Sequence, residues 1–326
     1  MKKILLIAIL CLAFILGFET NVFAAGVAKI GDTTYDTLDA ALAGVGTEAT
    51  ITIIDNIDLP GKATIPAGKK VVLDLNGKTL KVPTVENNYG IVVKGDLTIK
   101  GKGTVTLGMY GIGVAAGGNL TVESGTYNCP TGDYLIGVWG TATIKGGTFN
   151  GNYCIANGFD NGKIEILDGT FYSHEDTIVL GGVTIKGGAF NHDVTDYLAD
   201  GVKMVLYNGV YFTGTVYNIT IETAKNGKVE AVKTAVDGQP VKLTITPNKG
   251  YELDKINVTK TDGTQVGVEN NEFMMPKSDV KVMATFKVST LDNTPQTGNL
   301  NLLMIASILL TGGILVLIIT KKYKVN

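Results

Sequence analysis

The chain has 326 residues and a formal net charge of −2, and all 28 of its basic residues are lysine. Setting aside the charges of the two ends (Lys2, Lys3 and Glu19; Lys321, Lys322 and Lys324) leaves 23 lysines against 29 acids, about −6, which argues against nucleic acid and anionic membrane surfaces as partners. Between the ends there is length for one or two domains; the whole chain has 42 glycines and 8 prolines, and no glycine run reads as a flexible tract.

Lys2 and Lys3 precede an apolar stretch from Ile4 to about Phe18, and Val22-Phe23-Ala24 offers the small residues a signal peptidase reads. Residues 1–24 are expected to be a signal peptide, cut after Ala24. Cys11 follows Leu10 rather than a small residue, which argues against a lipid-anchored cysteine. Tyr35–Gly44 reads as a short amphipathic helix with Asp36 or Thr37 as its N-cap.

An apolar-x-apolar triplet then recurs: Ile51-Thr52-Ile53, Leu73-Asp74-Leu75, Leu97-Thr98-Ile99, Leu120-Thr121-Val122, Ala142-Thr143-Ile144, Ile164-Glu165-Ile166 and Val183-Thr184-Ile185. Successive starts lie 22, 24, 23, 22, 22 and 19 residues apart. Five residues after the last four triplets come Tyr127, Phe149, Phe171 and Phe190, each two residues after a glycine (Gly125, Gly147, Gly169, Gly188). A third strand is centred on Ile91, Ile112, Ile136, Ile155 and Ile178. Three short strands per repeat cannot bury an apolar face alone, but coils stacked about 4.8 Å apart can. This predicts an all-β chain whose main domain, 25–213, is a right-handed parallel β-helix of seven coils. Alternation points Leu97 and Ile99 inward and the column of Thr98, Thr121, Thr143 and Thr184, interrupted by Glu165, outward. The open strand edges need covers; the helix at Tyr35–Gly44 suits one end and Asn191–Gly201 the other.

From about Thr215 the period breaks into alternating strands, YNITIET, KVEAV, PVKLTITP, KINVTK, QVGV and VKVMATFK. Turn signals at Asn226-Gly227, Asp237-Gly238, Asp262-Gly263 and Asn270-Asn271 separate them, so 214–288 reads as a small, mostly antiparallel β module. Residues 289–299 form a linker. Leu300 to Thr320 carries no charge, long enough to cross a bilayer core of about 30 Å as a helix. Lys321, Lys322 and Lys324 follow and should hold the tail 321–326 on the cytoplasmic side.

Three resemblances add to this reading. The box Pro295-Gln296-Thr297-Gly298, followed by an apolar helix and a basic tail, resembles the LPxTG-like sorting signals of Gram-positive surface proteins; Thr294 stands where that pattern has leucine. The resemblance implies that a sortase cysteine attacks the Thr297 carbonyl, Gly298 leaves, and a peptidoglycan precursor amine takes up the acyl group. The partners would be sortase and that precursor, the membrane would serve only as a sorting intermediate, and the protein would end covalently attached to the cell wall. The run from Lys29 through Leu80 resembles the start of many pectate-lyase-like β-helical surface proteins. ITPNKGYELDKINVT, NEFMMPKSDVKVMATF and their surroundings are similar to divergent internalin-type B-repeats, commonly spacers or interaction units.

Chemistry is harder to find. A lyase of the pectate type implies a basic residue near calcium-holding acids, and arginine is absent; Lys100, Lys145 and Lys186 fall on the exterior of stacked coils. Among the acids, Glu123 and Glu165 lie two coils apart, about 10 Å, and Asp168 lies in a turn. His174 and His192, with Glu175, Asp176 and Asp193, make a loose metal constellation better read as solvated loops. Tyr89, Tyr110, Tyr134 and Tyr153 each stand two residues before a central isoleucine. Exposed, they would be a glycan-stacking platform; shared parity with the isoleucine favours an internal or corner stack. Trp139, one residue past an inward Val138, is the side chain expected to contact a ligand. Cys129 and Cys154 differ by three residues in coil offset, out of stacked register for a disulfide.

No catalytic residue, metal or cofactor is therefore expected. The leading expectation is a wall-anchored adhesin or ligand-binding or spacer protein for an unknown glycan or host-surface ligand. The alternatives are a β-helix polysaccharide lyase or glycoside hydrolase, and a purely structural wall component.

Overall fold

The computed structural model describes residues 26–157, 162–175, 178–179 and 182–289. The expected signal peptide, the sorting motif Thr294, Pro295, Gln296, Thr297 and Gly298, the apolar span 300–320, the basic tail and Asp176 lie outside the described residues. Among the described residues no helix is long and apolar enough to cross a membrane. The chain divides into two compact units. One comprises the chain to Glu222 with Glu230–Thr244 and Asn257–Met283, the other Thr223–Val229, Ile245–Ile256 and the chain from Ala284.

The first unit is built on a β-solenoid. Its opening hairpin, Ala28–Ile30 with Thr33–Tyr35, lies antiparallel on Glu48–Ile53. The helix Leu38–Gly44 follows, buries Leu38, Ala41 and Leu42, and is capped by Thr37, whose Oγ1 accepts the Ala40 N–H at 3.0 Å. Of the two cap residues the sequence offered, Thr37 is the one used.

Seven strands then stack in parallel: Glu48–Ile53, Lys70–Asp74, Asp96–Lys100, Asn119–Val122, Thr141–Ile144, Lys163–Ile166 and Val183–Ile185. Residues 97–99, 120–122, 142–144, 164–166 and 183–185 pair as their spacing implies. The second coil differs, because Val71 and Leu73, rather than Leu73 and Leu75, pair with Leu97 and Ile99. The slip is two residues, so parity is kept and Val71, Leu73 and Leu75 are all buried. Hydrophobic alternation alone could not tell the two registers apart.

A second sheet carries the central isoleucines, with Ile91, Ile112, Ile136, Ile155 and Ile178 in one continuous register. It also carries the aromatic column. Tyr127, Phe149, Phe171 and Phe190 are fully buried, with ring centroids 5.0, 4.7 and 4.9 Å apart and planes within 9° of parallel. Such pairs add about 0.5–1.5 kcal/mol each beyond their burial. Gly125, Gly147, Gly169 and Gly188, at φ between 109° and 133°, make the repeated turn that brings the ring inward, a conformation a side chain would strain.

At the far end, the segment from Asn191 contributes a 3-10 turn, Thr195–Tyr197, and Leu198 bridges to Ile185. The main cover is a hairpin absent from the sequence reading: Val210–Gly214 lies antiparallel on Gly188–Phe190, and Lys203–Tyr207 lies outside it. Its turn, Asn208-Gly209, has positive φ at both residues (50° and 82°), the standard two-residue hairpin signal.

The remainder of the first unit is non-repetitive. Val216–Ile221 pairs antiparallel with Thr234–Val236 and in parallel with Val280–Val282. Pro240–Lys242 pairs with Glu272–Met274, and the end of Tyr251–Lys260 turns back on Gln265–Val266. Asn226, Asn270 and Asn271 and Gly238 and Gly263 take positive φ at the expected turns. In the second unit, the Asn248 N–H donates to the Asn226 carbonyl, Lys287 pairs with Glu252 at 3.3 Å, and the Thr285 hydroxyl donates to Asp254.

Candidate ligand-binding face

The first place to look for chemistry is the acids. Glu123 and Glu165 are each held by a lysine of the next coil: Lys145 lies 3.4 Å from Glu123, and Lys186 contacts Glu165. Lys100 is similarly placed 3.8 Å from Asp74. These half-exposed pairs neutralise charge along the exterior and hold coil to coil, though each is worth only about 0–1 kcal/mol. Asp168 sits in an open groove of about 440 Å³ with Lys102, Ser124, Thr126, Thr148 and Thr170, where its Oδ1 accepts the Gly169 N–H. The three acids singled out in the sequence are not brought together.

The histidines are engaged separately. His174 Nδ1 lies 3.3 Å from Asn152 Oδ1, and His192 Nε2 lies 3.0 Å from the Ser173 carbonyl. Asp193 accepts the Thr195 hydroxyl and N–H, bonds that hold its carboxyl below its usual value. Among the described residues no three His, Cys, Asp or Glu side chains gather as a metal site would require.

Cys129 and Cys154 are buried free thiols. Cys129 stands opposite Gly151 rather than Cys154, and donates to the Gly108 carbonyl at 2.9 Å. Burial pushes the thiols up to about 11 and about 12 respectively, so neither is a ready nucleophile.

Of the internal and corner stacks expected from the sequence, the tyrosines form the corner one. Tyr110, Tyr134 and Tyr153 are in register on successive coils, partly buried and outside the buried core. Parity alone does not separate the two, because the chain bends just after them. Leu135 and Ile136 are both fully buried, as are Cys154 and Ile155, so two consecutive side chains face inward and the preceding tyrosine is turned out. Ring centroids are 6.2 Å apart for Tyr110 and Tyr134, and 5.5 Å for Tyr134 and Tyr153.

Tyr89 comes from the coil before, 5.7 Å from Tyr110, and lies across its neighbours. A Cβ built on Gly113 would fall 2.6 Å from the Tyr89 ring, and one on Gly137 would fall 2.0 Å from its hydroxyl oxygen. These two in-register glycines form a shelf on which the ring rests. Trp139 meets Tyr89 edge-on, at 5.5 Å and 79°, and is partly buried. The repeated glycine in YGIGV and LIGVW was the sequence signal for this close approach.

Polar groups rim the aromatics. The Asp133 carboxylate lifts Tyr110 above the usual phenol range by its charge, aided by burial and a hydrogen bond between the two side chains. Tyr89 is raised chiefly by burial, then by Tyr134 and Tyr110. Asn152 and His174 stand one residue from the Tyr153 row and one coil further on, and Met109 and Tyr172 are exposed nearby in sequence. A partly buried row of tyrosines with a tryptophan beside it offers apolar ring surface and hydroxyl donors together, which suits a ligand that is itself amphipathic.

Residues 217–290 match the family model described as the divergent InlB B-repeat domain. Neither the curated proteins nor the solved structures contain a match to the chain. A B-repeat segment joined to a β-solenoid is the make-up of a surface or repeat protein, and that is the description this chain fits.

Proposed function

We propose that this protein is exported, joined to the cell wall by a sortase through Thr297, and acts there as an adhesin whose β-solenoid carries the ligand-binding face. The carrying observation is the exterior row of Tyr89, Tyr110, Tyr134 and Tyr153 with Trp139 beside it. Five partly buried aromatic side chains gathered outside the hydrophobic core favour an interaction surface. Glu123 and Glu165 are each paired with a lysine of the next coil, which favours binding over catalysis at those two acids. The B-repeat segment serves as a spacer or further interaction unit.

The test uses the soluble ectodomain, Ala25 to about Asp292, on a panel of plant, host and bacterial glycans and host-surface proteins. Retention without new reducing ends or unsaturated products is expected. Product formation would overturn the reading in favour of a lyase or hydrolase. Silence on all counts would leave a structural wall component.

A further inference from the structure

Resting on that reading, we infer that the aromatic face binds an uncharged, linear glycan laid along the solenoid axis across successive coils. The face is longest along the axis. Tyr110, Tyr134 and Tyr153 come from three successive coils at centroid steps of 6.2 and 5.5 Å, while Tyr89, whose ring lies over Gly113 and Gly137, and Trp139 widen it across the axis. A compact small molecule is ordinarily held in a concave pocket. A row of one ring per coil instead favours a polymer that presents a similar apolar patch again and again.

The chemistry of the rim narrows the class. Each tyrosine supplies a ring and a hydroxyl. Sugar residues carry both an apolar face and a fringe of hydroxyls, so one surface satisfies both. An acidic residue stands against the row: Asp133 precedes Tyr134, and its backbone N–H donates at 2.9 Å to the carbonyl of Met109, which precedes Tyr110. A uronate or sialylated chain would bring a like charge to that carboxylate, and the chain as a whole carries more acids than lysines. A neutral polymer avoids the repulsion, and the Asp133 side chain, with more than one acceptor site, can take its hydroxyls beside the bond to Tyr110. Tyr89 is the residue whose position is set most specifically, because the shelf at Gly113 and Gly137 has no room for a side chain.

The experiment measures binding of the ectodomain to a size series of neutral linear β-glucan oligosaccharides, disaccharide to octasaccharide, beside a matched oligogalacturonate series. Affinity should rise with neutral chain length until the row is covered, and the acidic series should bind at least about tenfold more weakly. Trp139→Ala and Tyr134→Ala should each lower neutral-chain affinity by about fivefold to tenfold. Gly137→Ala, which removes no aromatic group, should do the same by dislodging Tyr89. Unchanged circular dichroism and melting would show that the variants are folded; a variant that fails this check is replaced by Trp139→Phe or Tyr134→Phe, for which a smaller loss is expected. Neutral-chain binding untouched by every folded variant would overturn this assignment, as would preference for the acidic series or affinity independent of length. If the ectodomain ignores all glycans but retains a host-surface protein, this inference falls while the adhesin reading stands.

Discussion

The solenoid and the segment that follows it are both all-β, but they are specified in different ways. In the solenoid each strand pairs with its counterpart one coil on, so Thr126 meets Thr148 and Phe149 meets Phe171 at a constant separation. One repeated instruction, a positive-φ glycine followed two residues later by a ring, builds each of the last four coils. In the B-repeat segment Ile219 pairs with Val280, across most of its length, and no second copy of that instruction exists. Repetition makes stability a sum of near-equal neighbour terms, whereas the non-repetitive segment depends on single long-range closures.

The comparison breaks most visibly at the aromatic stack. Phe171 is fully buried between Phe149 and Phe190, so Phe171→Ala should cost about 3–5 kcal/mol. Cys129 and Cys154 report the loss directly: the folded protein should resist thiol reagents at neutral pH, and the variant should label at a lower urea concentration. The B-repeat segment has no cysteine, so this signal belongs to the solenoid alone. Equal labelling of variant and wild type would contradict the stacked-coil account.

Next in size is the turn. Gly169 has φ 133°, and an added Cβ would sit 3.1 Å from the Phe171 ring, so Gly169→Ala should cost about 1–3 kcal/mol in chemical denaturation.

Asp279 sharpens the other side of the comparison. Its carboxylate accepts the Asn218 N–H at 2.8 Å and the Asn218 side-chain amide at 3.2 Å, and these bonds, backbone first, hold it below its ordinary value. A group depressed in this way contributes stability that is present above its unfolded value and lost as pH falls through its folded value. In acid titrations followed by circular dichroism, Asp279→Asn should therefore flatten the wild-type fall in stability below about pH 4. The smallest effect belongs to an exterior pair: Lys145→Ala, with both partners more than 40% exposed, should shift stability by no more than about 0.5 kcal/mol.

Much of this was legible before any coordinates. The isoleucine column and the ring column follow from spacing, because a repeat averages out the ambiguity of any one strand, whereas the helix cap is narrowed only to Asp36 or Thr37. Legibility failed where a two-residue period carries no information. The slip of the second coil from Leu73 to Val71 keeps every side chain on its own face, so the pattern could not expose it. For the tyrosine row the pattern allows an internal or a corner stack, for the opposite reason: a bend puts Leu135 and Ile136 on the same side, and parity counted through a bend cannot tell inside from outside. The hairpin at Asn208-Gly209 was readable from its turn residues, yet it lies just where the repeat ends. In the B-repeat segment the turns were visible, but the parallel pairing of Val216–Ile221 with Val280–Val282 was not, since no local feature names a partner about sixty residues away.

The central claim, that the solenoid's outer aromatic face does the binding, is tested most directly on whole cells. Cells displaying wild-type protein and cells displaying Trp139→Ala or Tyr134→Ala, matched for surface amount by antibody labelling, would be compared for adhesion to surfaces coated with the retained ligand. The account predicts that adhesion falls several-fold for both variants while display is unchanged. Equal adhesion at equal display would place the binding elsewhere on the chain and contradict it.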